Sequence, residues 1–138
     1  MLTAEHGPNG GDEVNVILPG RNYGWPKWSY GRTYEGPRWS ETPLAPGIEQ
    51  PLMLWIPSIA PTGLMVYTGD RFPSWKGNLF VGAMAGQHLV RLVLNGDKIV
   101  AEEKLLADRK WRIREVKQGP DGAIYIFAAN QLVRLMPR

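Results

Sequence analysis

Two groups of residues in this chain have types and spacings suited to chemistry. The first is the stretch 6–26, HGPNGGDEVNVILPGRNYGWP, where Pro8, Gly10, Gly11, Gly20, Gly24 and Pro26 surround the adjacent acids Asp12 and Glu13. Gly and Pro at that density set a tight loop path rather than a helix or a long strand. Carboxylates beside inward-turned carbonyls are raw material for a hard-cation site, since calcium takes about six to eight oxygens of either kind. The same cluster is also ordinary turn chemistry, with both acids solvated. The second group is Arg112 and Arg114, spaced by two on a predicted strand so that both side chains point to one face. Two guanidinium forks on one face suit a ligand with several carboxylates; the alternative is a solvated pair on an outer sheet face. Neither histidine is assigned a catalytic role: His6 lies in the loop, and His88 reads as a surface or rim side chain of a strand.

Composition limits the function classes. The 138 residues suffice for one domain with a real core, and 43% hydrophobic with 21% charged residues is ordinary for a soluble globular protein. No apolar run approaches the length of a membrane-spanning helix, so no membrane partner is expected. The start MLTAEHGPNGG has neither an apolar core nor a basic leader, so no signal peptide is expected in this chain. With no cysteine, disulfides and thiolate metal sites are excluded. A net charge of +3, spread along the chain apart from Arg109, Lys110, Arg112, Arg114 and Lys117, is too weak a bias for a nucleic-acid face.

The elements that must position these groups are strands. Val14, Val16 and Leu18 alternate with polar or opposite-facing residues until Pro19–Gly20 stops them. Residues 21–51 show little periodicity, though Trp28, Tyr30, Tyr34 and Trp39 give this long segment a means of packing on a neighbour. The rhythm then becomes regular, with four strands predicted at 64–68, 78–83, 88–94 and 98–106. The third alternates, Leu89, Arg91 and Val93 against Val90, Leu92 and Leu94, and Asn95–Gly96 signals a tight hairpin. Three more strands follow at 113–118, 123–128 and 131–136, with GPDG at 119–122 as a hairpin. No clear helix is predicted; 104–112 is the nearest candidate. Four antiparallel strands joined by short turns make one propeller blade, and the repeat of about fifty residues suits that architecture. The expected fold is all-β, about two to three blades, divided as 1–51 (cation loop and irregular segment), 52–108 (a complete blade) and 109–138 (an incomplete last blade).

The stretches HGPNGGDEVNVILPGRNYGWP, WIPSIAPTGLMVYTGDRFPSWKGNLFVGAMAGQHLVRL and RIREVKQGPDGAIYIF, in that order, resemble the glucose/sorbosone dehydrogenase family of quinoprotein aldose sugar dehydrogenases. The resemblance covers essentially the whole chain and corresponds to the C-terminal portion of the family's six-bladed propeller. It implies two cofactors, pyrroloquinoline quinone (PQQ) and Ca²⁺. It implies that the carbonyls of Gly7 and Pro8 hold the calcium that activates PQQ, and that Glu13 and the Tyr23 carbonyl hold a structural calcium. It places Ser58 where a hydroxyl touches the cofactor, and Arg112 and Arg114 where a pair clamps its carboxylates. Trp55 or Ile56 falls where a Trp lines the sugar pocket in some members. Two departures stand out: Glu115 follows the arginine pair where the family usually has Asp, and Ala85 stands where some members have a cofactor-binding Lys.

The function implied is oxidation of an aldose C1 hydroxyl to the lactone. The family's general base matches no residue of this chain, so no catalytic residue is assigned and inactivity alone is expected. The alternative is a non-catalytic, self-assembling propeller module that binds a sugar or a protein. An incomplete ring exposes blade faces and an edge, so a homo-oligomer closing the propeller is the expected partner arrangement. Family members are commonly periplasmic or secreted, which leaves the compartment of this chain open.

Overall fold

A computed structural model of the chain describes residues 1–137. They are all-β, 43% strand and 4% helical, in antiparallel sheets of a β-propeller. Two compact units are present, Met1–Ala60 and Pro61–Arg138. Among the described residues no helix is long and apolar enough to cross a membrane.

The first unit is built on a three-stranded sheet, β1 (Leu2–Glu5), β2 (Asp12–Val16) and β3 (Met53–Trp55), with β2 in the middle. The alternation at 14–18 predicts a strand two residues too far along. Asp12 and Val14 are the fully buried positions, whereas Val16 and Leu18 are 42% and 48% exposed. The register explains this: Asp12 pairs with Trp55 and Glu13 with Glu5, so the sheet is already formed where the glycines end. Neither β1 nor β3 is predicted from sequence; each is short and exists because β2 offers it a hydrogen-bonding edge.

Between β2 and β3 the long segment holds itself together without strands. Asn22 bridges to Ile48, and Arg21 pairs with Glu49 at 3.3 Å. Trp25 stacks on Trp39 with ring centroids 4.9 Å apart, and the Trp39 indole N–H donates to the Pro26 carbonyl at 2.6 Å. Tyr34, by contrast, is 85% exposed.

The second unit begins with the complete four-stranded blade: β4 (Pro61–Val66), β5 (Leu79–Ala83), β6 (His88–Asn95) and β7 (Lys98–Leu105), in that spatial order. The two-residue turn between β6 and β7 is Gly96–Asp97 rather than Asn95–Gly96, because Asn95 pairs with Lys98. The region 104–112 gives only a short 3-10 turn at Ala107–Arg109. Three strands follow, β8 (Ile113–Gln118), β9 (Ile124–Ala128) and β10 (Gln131–Leu135). Met65, Tyr67, Phe80, Leu89, Ile113, Val116, Ile124 and Ile126 fill the core of this unit. Burying each such side chain is worth about 1.5–3 kcal/mol.

Polar ties fix the two sheets of this unit. The Thr62 hydroxyl donates to the Ile113 carbonyl at 2.7 Å, and the Tyr67 hydroxyl donates to the Gly122 carbonyl at 2.7 Å. Gly63, at φ 47° on a bulge of β4, lets the strand pass close to β8; a Cβ there would lie 2.1 Å from Glu115 Oε1.

Candidate functional site

The glycine-rich loop of the first unit is tied down by one buried carboxylate. Asp12 Oδ1 accepts the Gly7 N–H at 2.9 Å. Its Oδ2 accepts the Ser58 hydroxyl at 2.7 Å and the Ile59 and Ala60 N–H groups at 2.8 and 2.9 Å. Asp12 is fully buried, so neither sequence reading of it, solvated acid or cation ligand, describes what it does. It clamps the loop at Gly7 to the turn at Ser58–Ala60. The available signal was its parity with Val14, two residues apart on the buried face of one strand.

Close backbone packing explains the glycine at position 7. A Cβ there would sit 2.1 Å from the Gly10 carbonyl oxygen and 2.3 Å from that of Gly11. The Pro8 carbonyl accepts the Arg32 N–H at 2.6 Å, which leaves one of its two lone pairs.

Gly7, Pro8, Glu13 and Tyr23 line one small pocket of about 50 Å³, together with Glu5 and His6. Glu13 and Glu5 face each other across the β1–β2 pair, and like charges directly opposite repel. The amide of Asn15 lies between them, donating from Nδ2 to Glu13 Oε2 at 3.0 Å and to Glu5 Oε1 at 3.2 Å. Burial, opposed by this amide and reinforced by Glu5, pushes the Glu13 carboxyl above its ordinary value. Asn15 is itself fully buried, and its Oδ1 has no hydrogen-bond partner. The Tyr23 hydroxyl is occupied, donating to the Val16 carbonyl at 2.7 Å and accepting the Leu18 N–H at 2.8 Å. Burial, then the nearby Glu13 charge, raises the pKa of Tyr30, whose hydroxyl donates to Gln50 Oε1. Among the described residues no group of three or more His, Asp or Glu clusters as a metal centre. Any cation held here therefore relies on two carboxylates and on carbonyls, a donor set that fits calcium.

The Ser58 hydroxyl donates its hydrogen bond to Asp12 and accepts the Ala60 N–H at 3.1 Å. One oxygen lone pair remains for a ligand. In the second unit, Arg112 and Arg114 are both exposed and flank the buried Ile113, and neither has an ion-pair or side-chain hydrogen-bond partner among the described residues. Two uncompensated forks of this kind fit a carboxylate-rich ligand. Glu115 folds over Gly63, accepts the Val116 N–H at 3.0 Å and approaches Lys117 Nζ at 3.6 Å. Ala85 is exposed and brings no charge to its loop. His88 is not a rim side chain. It is 4% exposed because it opens β6 opposite Ala83, and its Nδ1 lies 2.6 Å from the Gly86 carbonyl, closing the turn.

Antiparallel four- and three-stranded sheets, with a Gly/Pro loop beside the facing carboxylates Glu5 and Glu13, define the class as an all-β propeller with a candidate cation pocket. The chain matches the glucose/sorbosone dehydrogenase profile over residues 1–136, and it belongs to that family. It is 40% identical to the aldose sugar dehydrogenase YliI of Escherichia coli K12 over 97% of this chain and 38% of that protein. A crystal structure of a glucose dehydrogenase superposes with a TM-score of 0.92 at 48% identity, covering 98% of this chain and 40% of that one. The PQQ-bound aldose sugar dehydrogenase of Streptomyces coelicolor superposes with a TM-score of 0.66 at 25% identity, covering 91% and 32%. The chain thus spans about two fifths of the length of the first two of these relatives.

Proposed function

We propose that this chain carries the C-terminal share of the cofactor site in a PQQ- and calcium-dependent aldose sugar dehydrogenase. The observation that carries the reading is the convergence of Gly7, Pro8, Glu13 and Tyr23 on one pocket, with a protonation-prone Glu13 facing Glu5. A divalent cation would relieve that repulsion. Its ligands here are the Gly7 and Pro8 carbonyls for the activating ion, and Glu13 with the Tyr23 carbonyl for the structural one. Asp12 fixes the backbone at Gly7, and it orients the Ser58 oxygen toward a ligand by accepting the hydrogen bond of its hydroxyl. Arg112 and Arg114 bind and orient the carboxylates of the cofactor. Bound PQQ supplies a two-electron acceptor for the hydride at the sugar C1, made more electrophilic by calcium.

No residue of this chain is assigned as the base that takes the C1 hydroxyl proton. Turnover to the lactone therefore requires a second polypeptide segment that carries it. The test is complementation: the chain is mixed with the N-terminal portion of the Escherichia coli relative, PQQ and Ca²⁺, and dye reduction by an aldose is followed. Activity in the mixture and none in either part supports the reading. Inactivity of a mixture that co-purifies as one complex overturns it.

A second reading, a self-assembling module, is favoured by the edge at β10. That strand ends its sheet, and Leu132 and Met136 are 72% and 46% exposed. Light scattering at micromolar concentration decides: a dimer or larger species supports self-assembly, and a monodisperse monomer refutes it.

A further inference from the structure

The segment between β2 and β3 builds a second pocket that the cofactor reading leaves unused. It has a volume of about 300 Å³ and is lined by Ser29, Tyr30, Arg32, Arg38, Ser40 and Ile56, among others. A small hairpin places the two arginines. The Thr33 N–H donates to the Pro37 carbonyl at 2.8 Å, the Gly36 N–H to Thr33 at 3.1 Å, and Arg32 bridges antiparallel to Arg38. The hairpin is anchored on both sides, through the Trp39 N–H to the Gly31 carbonyl at 3.0 Å and the Arg32 N–H to Pro8 at 2.6 Å.

The charges in this hairpin are unbalanced. Two cations directly opposite across a bridge repel each other, yet neither has an acid within ion-pair distance among the described residues, unlike Arg21 with Glu49 or Arg91 with Glu103. The Arg32 side chain donates only to the Gly36 carbonyl, at 3.2 Å, and that of Arg38 has no hydrogen-bond partner. Two serines line the same pocket. Ser40 Oγ donates to the Ser29 carbonyl at 3.0 Å, whereas the Ser29 hydroxyl only accepts, from the Gly31 N–H at 3.1 Å, and keeps its proton for a ligand. Ile56, 61% exposed, supplies an apolar wall two residues before Ser58. Paired guanidinium forks, a free hydroxyl donor and one apolar wall together match a small polyhydroxy ligand that ends in an anion.

We propose that this pocket is an anion subsite that selects sugars carrying a carboxylate or phosphate away from C1. The word sugar rests on the dehydrogenase reading above; the anion preference rests on Arg32 and Arg38 alone.

The experiment is calorimetric titration of the full 138-residue chain with glucose 6-phosphate, glucuronate, inorganic phosphate and glucose. The expected result is saturable binding of at least one of the two anionic sugars, tighter than that of inorganic phosphate or glucose. Arg32→Ala and Arg38→Ala each weaken it by about tenfold or more, the loss of one charge-assisted bond. Arg38→Gln, which keeps a polar side chain with an aliphatic stem but removes the charge, guards against misfolding and should weaken binding alike. Arg21→Ala, outside the pocket, should leave it unchanged. Preference for glucose 6-phosphate or for glucuronate identifies the anion as phosphate or carboxylate. Equal affinity in the Arg32 and Arg38 variants, no saturation by about 1 mM, or phosphate alone binding as tightly as the sugar phosphate overturns the proposal. PQQ with Ca²⁺ is titrated into the same samples. Retained PQQ binding without anionic-sugar binding refutes the subsite alone, and the converse refutes the cofactor reading alone.

Discussion

Replacing Asp12 is the perturbation whose outcome the geometry fixes most sharply. Four donors converge on its carboxylate: the Gly7, Ile59 and Ala60 N–H groups and the Ser58 hydroxyl, all between 2.7 and 2.9 Å. In Asp12→Ala the Ala60 N–H keeps its second acceptor, Ser58 Oγ, but the Gly7 and Ile59 N–H groups lose the acceptor found for them. An orphaned buried donor costs about 1–3 kcal/mol, and bonds to a charged acceptor lie at the upper end of the range. Non-additivity within one network keeps the total near 3–5 kcal/mol. That is a large part of the about 5–15 kcal/mol that stabilises a typical domain. Asp12→Asn retains one carbonyl oxygen but turns an NH₂ toward the other donors, and should cost about 2–3 kcal/mol. Urea unfolding measures the loss, and amide exchange locates it. Protection of the Gly7 and Ile59 amides should fall by about a hundredfold or more, while β5 and β6 amides in the second unit change little. A loss below about 1 kcal/mol, with those two amides still protected, would refute the clamp.

Other outcomes follow from the same geometry. Folding raises the Glu13 pKa, so the native state binds more protons than the unfolded chain, and stability falls as pH rises from the unfolded value of 4.5 through the folded one. In chelator, Glu13→Gln should therefore stabilise the chain at pH 7 and give no gain well below pH 4.5; a gain equal at both pH values, read from thermal melts, would contradict this. Gly7→Ala forces a Cβ into the Gly10 and Gly11 carbonyls and should cost about 2–4 kcal/mol in urea titrations. Wild-type stability in that variant would show that the loop can open without cost. Gly63→Ala combines a positive φ with a clash against Glu115, and should lower stability by about as much; an unchanged melting temperature would show that the bulge can move.

Much of the second unit was legible because hairpin turns punctuate it. Strand 113–118 is legible to the residue, and the GPDG signal at 119–122 marks a connection that the register, pairing Gln118 with Ile124, makes one residue longer. The first unit was harder. Its outer strands run to only three or four residues, and their pairing depends on a partner some forty residues away in the case of β2 and β3. Residue types located the glycine-rich loop and its two acids but did not separate the roles of Asp12 and Glu13. Those adjacent acids lie on opposite faces of β2, one clamping backbone amides, the other facing Glu5. His88 is buried where its place in a strand suggests a surface side chain, since alternation reports a face and not how deeply that face is covered.

The proposed share of a calcium-dependent PQQ site is tested by titrating the purified chain with PQQ in the presence of Ca²⁺, then with a chelator, and following cofactor absorbance. The expected result is saturable binding that the chelator reverses and that Arg112→Ala with Arg114→Ala weakens by at least tenfold, while unfolding free energy changes by less than about 0.5 kcal/mol. Binding that is indifferent to calcium and to both arginines, or no binding well above micromolar PQQ, would contradict it.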